Sequence, residues 1–114
     1  MSHPPSVALH RKRWALSQDE LATLLATSQA NVSRIEEGEA DRSIRLEVAL
    51  GLQVVFGRGP RSLFAALFDM IEEEVMTRAA DLEVNLRDLH DAESLKKKQL
   101  LAQMLKRATS LRKL

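Results

Sequence analysis

Between Ser17 and Gly38 the chain specifies two short helices and leaves almost nothing to join them. Ser17-Gln18-Asp19-Glu20 is a capping box, in which the serine hydroxyl accepts a first-turn amide and the glutamate three residues on reaches back. Both acids also sit at the positive end of the helix dipole. A helix from Gln18 to about Leu25 follows, expected to bury Leu21, Ala22, Leu24 and Leu25. Ala26 and Thr27 make the turn. Ser28 caps the next helix, Gln29 to about Glu37, whose inward residues are Val32 and Ile35. Gly38 suits a left-handed stop. Counted from Gln18 as position one, apolar residues fall at positions four, eight, fifteen and eighteen, with Ala22 at position five. A small residue is needed there, where two crossing helices come nearest. Helices this short and this closely joined cross at a steep angle.

The remainder is helical as well. Only four Gly and three Pro punctuate the 114 residues, and an all-α fold is expected. Residues 1–6 read as a disordered leader. Val7 to Leu16 reads as a first helix, with Val7, Leu9, Trp14 and Leu16 as core candidates. Ser43 is expected to cap a fourth helix from Ile44 to Phe56, with Ile44, Val48, Leu52, Val55 and Phe56 at helical spacing. Gly51 weakens that helix by ~1 kcal/mol relative to Ala, a cost that the close approach of another helix explains. Gly57 to Pro60 is a break, and Pro60 suits the first position of the helix after it. From Arg61 to about His90 the chain reads as one uninterrupted helix. Its stripe is Phe64, Phe68, Ile71, Val75, Ala79, Leu82, Leu86 and Leu89, a coiled-coil-like pattern. Asp91 or Ser94 caps a last helix carrying Leu95, Leu101, Met104, Leu105, Ala108 and Leu111.

Composition removes several classes of function. The chain has no cysteine, hence no disulfide scaffold, thiol nucleophile or thiolate-bound zinc. It has no tyrosine and only 4% aromatic residues, which argues against an RNA-binding sheet that stacks bases. No apolar run approaches the ~20 residues of a bilayer-spanning helix. The first six residues lack the apolar segment of a secretory signal, so the cytoplasm is the expected location. His3, His10 and His90 are scattered, no serine has a paired histidine, and no glycine-rich phosphate loop occurs. The chain is therefore read as a non-enzyme, with no cofactor and no metal.

The net charge of +1 hides a segregated pattern. From Asp69 to Glu93 there are nine acids and two bases. From Ser94 to Leu114 there are seven bases and no acid. Before Asp69 the charges nearly balance, with bases in the small groups Arg11-Lys12-Arg13, Arg42 and Arg45, and Arg58 and Arg61. A DNA binder of low net charge needs such clusters, because phosphate contacts are local.

Leu16-Ser17-Gln18-Asp19-Glu20-Leu21-Ala22 and Val32-Ser33-Arg34-Ile35-Glu36-x-Gly38, with the helices that follow, resemble the Xre-like (Cro/phage-repressor-type) helix-turn-helix family. The resemblance covers roughly residues 7–68. It implies a five-helix lambda-repressor-like domain, here with extended C-terminal helices over 69–114. It also implies a sequence-specific regulator of transcription, of the repressor type, that binds double-stranded DNA with the helix at about 28–37 in the major groove. The implied base contacts are Ser28, Gln29, Ala30, Asn31 and Arg34. The implied phosphate contact is Gln18, at a helix N-terminus; Arg11, Lys12, Arg13, Arg42 and Arg45 are phosphate candidates by their charge and their proximity to the motif. Ala15 and Ala26 stand where the family commonly carries glycine, and alanine does not take positive φ easily. The turn is therefore expected to be strained or differently shaped.

The long apolar stripe exceeds what a small DNA-binding core uses. Phe68, Ile71, Val75, Leu82, Leu86 and Leu89 are expected to form a homodimer interface, in keeping with the two-fold symmetry of operators. The basic segment 94–114 either folds back as a hairpin on the acidic helix, its own or a partner's, or adds non-specific DNA affinity, or is a solvated face. The rival reading is an antitoxin-type protein whose C-terminal helices bind a partner protein while the helix-turn-helix regulates its own gene.

Overall fold

The computed structural model describes residues 5–38 and 43–112, with side chains as far as residue 110. It is all-helical, 78% helix, with seven helices and no strand among the described residues. They are α1 (Val7–Arg13), α2 (Gln18–Leu25), α3 (Gln29–Glu36), α4 (Leu46–Phe56), α5 (Pro60–Leu63), α6 (Ala65–Leu86) and α7 (Ala92–Arg112). None of these is long and apolar enough to cross a membrane. The chain forms two compact units, Met1–Asp69 and Met70–Leu114, with the boundary inside α6.

The first unit is built around Val7, Leu21, Ala22, Leu25, Val32, Ile35, Val48, Leu52, Leu63 and Phe64, with Ile44, Val55, Phe56 and Leu67 packed against them. Four expected core residues lie outside it: Leu16, which is half-buried, and Leu9, Trp14 and Leu24, which are exposed. Leu9 is 70% exposed, Trp14 65% and Leu24 59%. On a helix of 3.6 residues per turn, Leu9 lies about 200° round from Val7, so one buried face cannot hold both. Leu24 likewise points away from the face shared by Leu21, Ala22 and Leu25. Trp14 ends α1 and lies at the surface, with the Arg13 guanidinium 5.9 Å from its ring centroid.

The chain entering α1 is tied down. Pro5 is buried and the Ser6 amide donates to the Leu63 carbonyl at 3.0 Å, so the expected disordered leader does not extend to these two residues. The rest of it, residues 1–4, lies outside the described residues. At Gly51 a Cβ would stand 2.9 Å from Leu25 Cδ2, so the glycine lets α2 and α4 approach closely. α4 begins at Leu46, with Arg45 at its cap position and no side-chain cap. Ser43 is therefore not its N-cap.

Pro60 opens a helix as expected, but a short one. Phe64 has φ −123° and ψ 49°, which interrupts the helix expected to run from Arg61 to His90. Leu63 and Phe64 are both buried, and the chain leaves helical geometry where it commits these neighbours to the core. Phe68, an expected interface residue, carries the Arg61 guanidinium 4.4 Å above its ring centroid.

In the second unit α7 runs back beside α6. The two line a groove of about 530 Å³ with Met76 and Ala80 on one wall and Leu105 and Ala108 on the other. Ala79, Leu86 and Ser94 are buried. Asp91, not Ser94, caps α7: its carboxylate accepts the Ser94 amide at 3.2 Å and the Ser94 hydroxyl at 2.6 Å. The Ser94 bonds hold the Asp91 carboxyl below its ordinary pKa. Leu86 leaves the expected dimer interface, since it is 6% exposed within its own chain. Leu89 lies beyond the end of α6 and is exposed. Ile71, Val75 and Leu82 remain on α6, 39–45% exposed.

Candidate nucleic-acid interface

The unit α2–turn–α3 is set by its caps. Ser17 Oγ accepts the Glu20 amide at 3.0 Å, and Glu20 Oε1 accepts the Ser17 amide at 2.9 Å. The Ser17 bonds lower the Glu20 pKa. Ser28 Oγ accepts the Asn31 amide at 3.1 Å. Between the helices Ala26 takes the left-handed conformation, φ 55° and ψ 45°. Ala15 does the same at the turn after α1, φ 59°. Both turns thus keep a backbone shape that suits glycine and impose it on alanine, at a cost of order 1 kcal/mol each. Buried Leu21, Ala22 and Leu25 on α2, with Val32 and Ile35 on α3, leave Ser28, Gln29, Ala30 and Arg34 outward and exposed. Asn31 is half-buried and donates Nδ2–H to Thr27 Oγ1 at 2.9 Å.

One chain of side chains links the interior to this exposed helix start. Arg11 and Glu36 form a two-pronged ion pair, Nε to Oε2 at 2.6 Å and the second guanidinium nitrogen to Oε1 at 3.0 Å. Their side chains are only 11% and 6% exposed. Arg11 also donates to the Leu16 carbonyl at 2.8 Å. Gln18 Nε2 donates to Glu36 Oε1 at 2.9 Å, and Gln18 Oε1 accepts from Gln29 Nε2 at 2.6 Å. Burial works to raise the Glu36 pKa, but the bonds from Arg11 and Gln18 and the charges of Arg11 and Lys12 outweigh it and hold the carboxyl below its ordinary value.

The polarity of this chain is fixed from its buried end. A guanidinium only donates and a carboxylate only accepts. Gln18 must therefore turn its amide nitrogen to Glu36 and its oxygen to Gln29. Gln29 must then donate, which leaves its own oxygen and one N–H outward. An acceptor beside a donor is the pattern that pairs with the adenine edge in the major groove.

The expected phosphate ligands divide. Arg11 is not among them: its guanidinium is enclosed and spent on Glu36 and Leu16. Lys12 and Arg13 are exposed. Arg45 is exposed and pairs with Glu47 at 2.7 Å, a surface pair weak enough to exchange for a phosphate. Arg42 lies outside the described residues. Arg34 makes no salt bridge to a described residue. Glu36 and the positioning use of Arg11 are what sequence reasoning missed. The two are 25 residues apart, and no local spacing signals their meeting.

A scan against protein-family models finds no match, and searches of curated proteins and of solved structures find none either.

Proposed function

We propose that this protein is a sequence-specific double-stranded DNA-binding regulator of transcription. Its first unit acts as a helix-turn-helix domain, with α3 entering the major groove and Ser28, Gln29, Ala30, Asn31 and Arg34 toward base edges. Lys12, Arg13 and Arg45 meet phosphates on either side, and the free backbone amides at the Gln18 end of α2 meet another. The observation that carries this reading is the Gln18–Gln29 bond at the exposed, capped start of α3. It presents a recognition-type amide with its polarity already set, on a rigid support, which lowers the ordering cost of binding.

The test is selection from a pool of random duplexes by the full chain. The expected result is an enriched site containing adenine at a fixed position, bound with an affinity that falls steeply with salt. Failure to enrich any sequence overturns the proposal.

A further inference from the structure

The corner between α1 and α2 carries a side chain that neither the core nor base reading uses. Trp14, the chain's one tryptophan, ends α1 and is 65% exposed. Tryptophan is among the largest apolar side chains and is highly buried on average. Here its indole N–H makes no hydrogen bond to a described residue.

The exposed ring does not sit on a loose segment. The Trp14 amide donates to the Arg11 carbonyl at 3.2 Å, the Ala15 amide to the Lys12 carbonyl at 3.0 Å and the Leu16 amide to the Arg11 carbonyl at 3.1 Å. The Arg11 guanidinium holds the Leu16 carbonyl and joins the corner to α3 through Glu36. The corner is thereby fixed beside Gln18, whose side chain touches Gln29 at the start of α3. Trp14 is four residues from Gln18, at most about 14 Å along the chain.

Its surroundings are donors. Lys12 and Arg13 are exposed, and the Arg13 guanidinium lies 5.9 Å from the ring centroid. The first amides of α2 have no partner within the helix. Of the two acids on that turn, Glu20 accepts the Ser17 amide, and Asp19 lies about 100° round the helix from Gln18. Donors set beside a flat apolar ring match a sugar–phosphate strand, in which phosphate oxygens accept and deoxyribose offers an apolar face.

We propose that Trp14 is a backbone contact of the DNA complex. Its ring covers a deoxyribose of the strand whose phosphate meets the start of α2, and its indole N–H donates to a neighbouring phosphate. The inference rests on the reading of this unit as a DNA-binding domain and adds a residue to it. A duplex keeps its base faces stacked and closed, so a ring outside the groove meets sugar rather than base. Trp14 therefore strengthens binding without choosing a sequence. It carries no charge, so it releases no counterion.

Because Trp14 is the one tryptophan, its own fluorescence is the test, while anisotropy of a labelled duplex follows binding independently. Saturating the full chain with the selected duplex is expected to shift the Trp14 emission and roughly halve its quenching by acrylamide, since a covered ring loses contact with water. Trp14→Ala is expected to weaken binding about tenfold to the selected duplex and to unrelated duplexes alike, with the salt slope of the wild type. Circular dichroism checks the helices of the variant, and if they are lost the fluorescence of the wild type decides. A duplex that binds and leaves the emission and quenching of Trp14 unchanged overturns this inference while the DNA-binding reading stands. So does a folded Trp14→Ala variant that binds as tightly as the wild type, or that loses affinity for one sequence alone. Emission that shifts with protein concentration in the absence of DNA also overturns it, and assigns the ring to a protein contact. A chain that binds no duplex overturns the DNA-binding reading itself, and this inference falls with it.

Discussion

Arg11 and Glu36 meet as a two-pronged ion pair across 25 residues of sequence, almost closed to solvent. The pair joins α1 to α3 and holds Gln18, which holds Gln29. Breaking a pair of this kind is costly because it strands a buried charge, whereas replacing both partners with apolar groups is nearly neutral. Arg11→Met is therefore expected to destabilise the protein by about 3 kcal/mol, and Arg11→Met/Glu36→Leu by far less. Urea denaturation of the three proteins measures this. Equal losses for the single and double variants would show that the pair is not a coupled unit.

The same pair makes stability depend on pH. The Glu36 carboxyl is held below its ordinary value of 4.5 in the folded chain. Its contribution is complete above the unfolded value and is lost as pH falls through the folded one. Stability relative to Arg11→Met/Glu36→Leu is expected to be constant from pH 7 to about 5 and to decline below the ordinary carboxylate range. Denaturation midpoints across that range check it. A difference that grows as the pH drops would contradict the sign.

Ala15 and Ala26 hold φ values of 59° and 55°. Glycine relieves that strain but adds freedom to the unfolded chain, and the first effect is the larger. Ala15→Gly and Ala26→Gly are each expected to raise stability by about 0.5 kcal/mol or more. Thermal melts of the single variants decide, and a lower midpoint for either would refute the strain at that turn.

The caps of α2 and α3 are expected to act alike. Ser17→Ala and Ser28→Ala should each cost about 1 kcal/mol, read as a shift in urea midpoint. Ser17→Ala leaves the residues proposed to touch bases in place, so its DNA affinity under native conditions is expected to hold.

Gln18 sets the polarity of Gln29. Gln18→Leu removes both of its bonds and leaves the outer amide free to rotate. The expected outcome is a loss of discrimination at the adenine position of about tenfold, or ~1.4 kcal/mol. Competition between the selected duplex and its single-base variants measures it. Unchanged discrimination would separate Gln18 from specificity.

Much of α2 and α3 is readable from the sequence, because their ends are set by residues whose chemistry is local: Ser17 with Glu20, Ser28, and Gly38, which takes φ 80°. Gly51 and Pro60 are readable for the same kind of reason. The interruption at Phe64 is not, since a stripe at steps of three and four continues through it. The exposure of Leu9, Trp14 and Leu24 depends on which face the rest of the core occupies. Arg11, in a basic triplet, reads as a phosphate ligand until its distant partner is known. Leu86 fits a dimer stripe by spacing, yet its own unit buries it.

The most direct test of the central claim is the affinity of wild type and Gln29→Ala for the selected duplex and for duplexes changed at each base pair in turn. The wild type is expected to lose tenfold or more, about 1.4–3 kcal/mol, at one adenine, and Gln29→Ala to bind that position's variants alike while keeping its preferences elsewhere. If Gln29→Ala reproduces the wild-type preferences at every position, α3 does not read DNA through the residues proposed here.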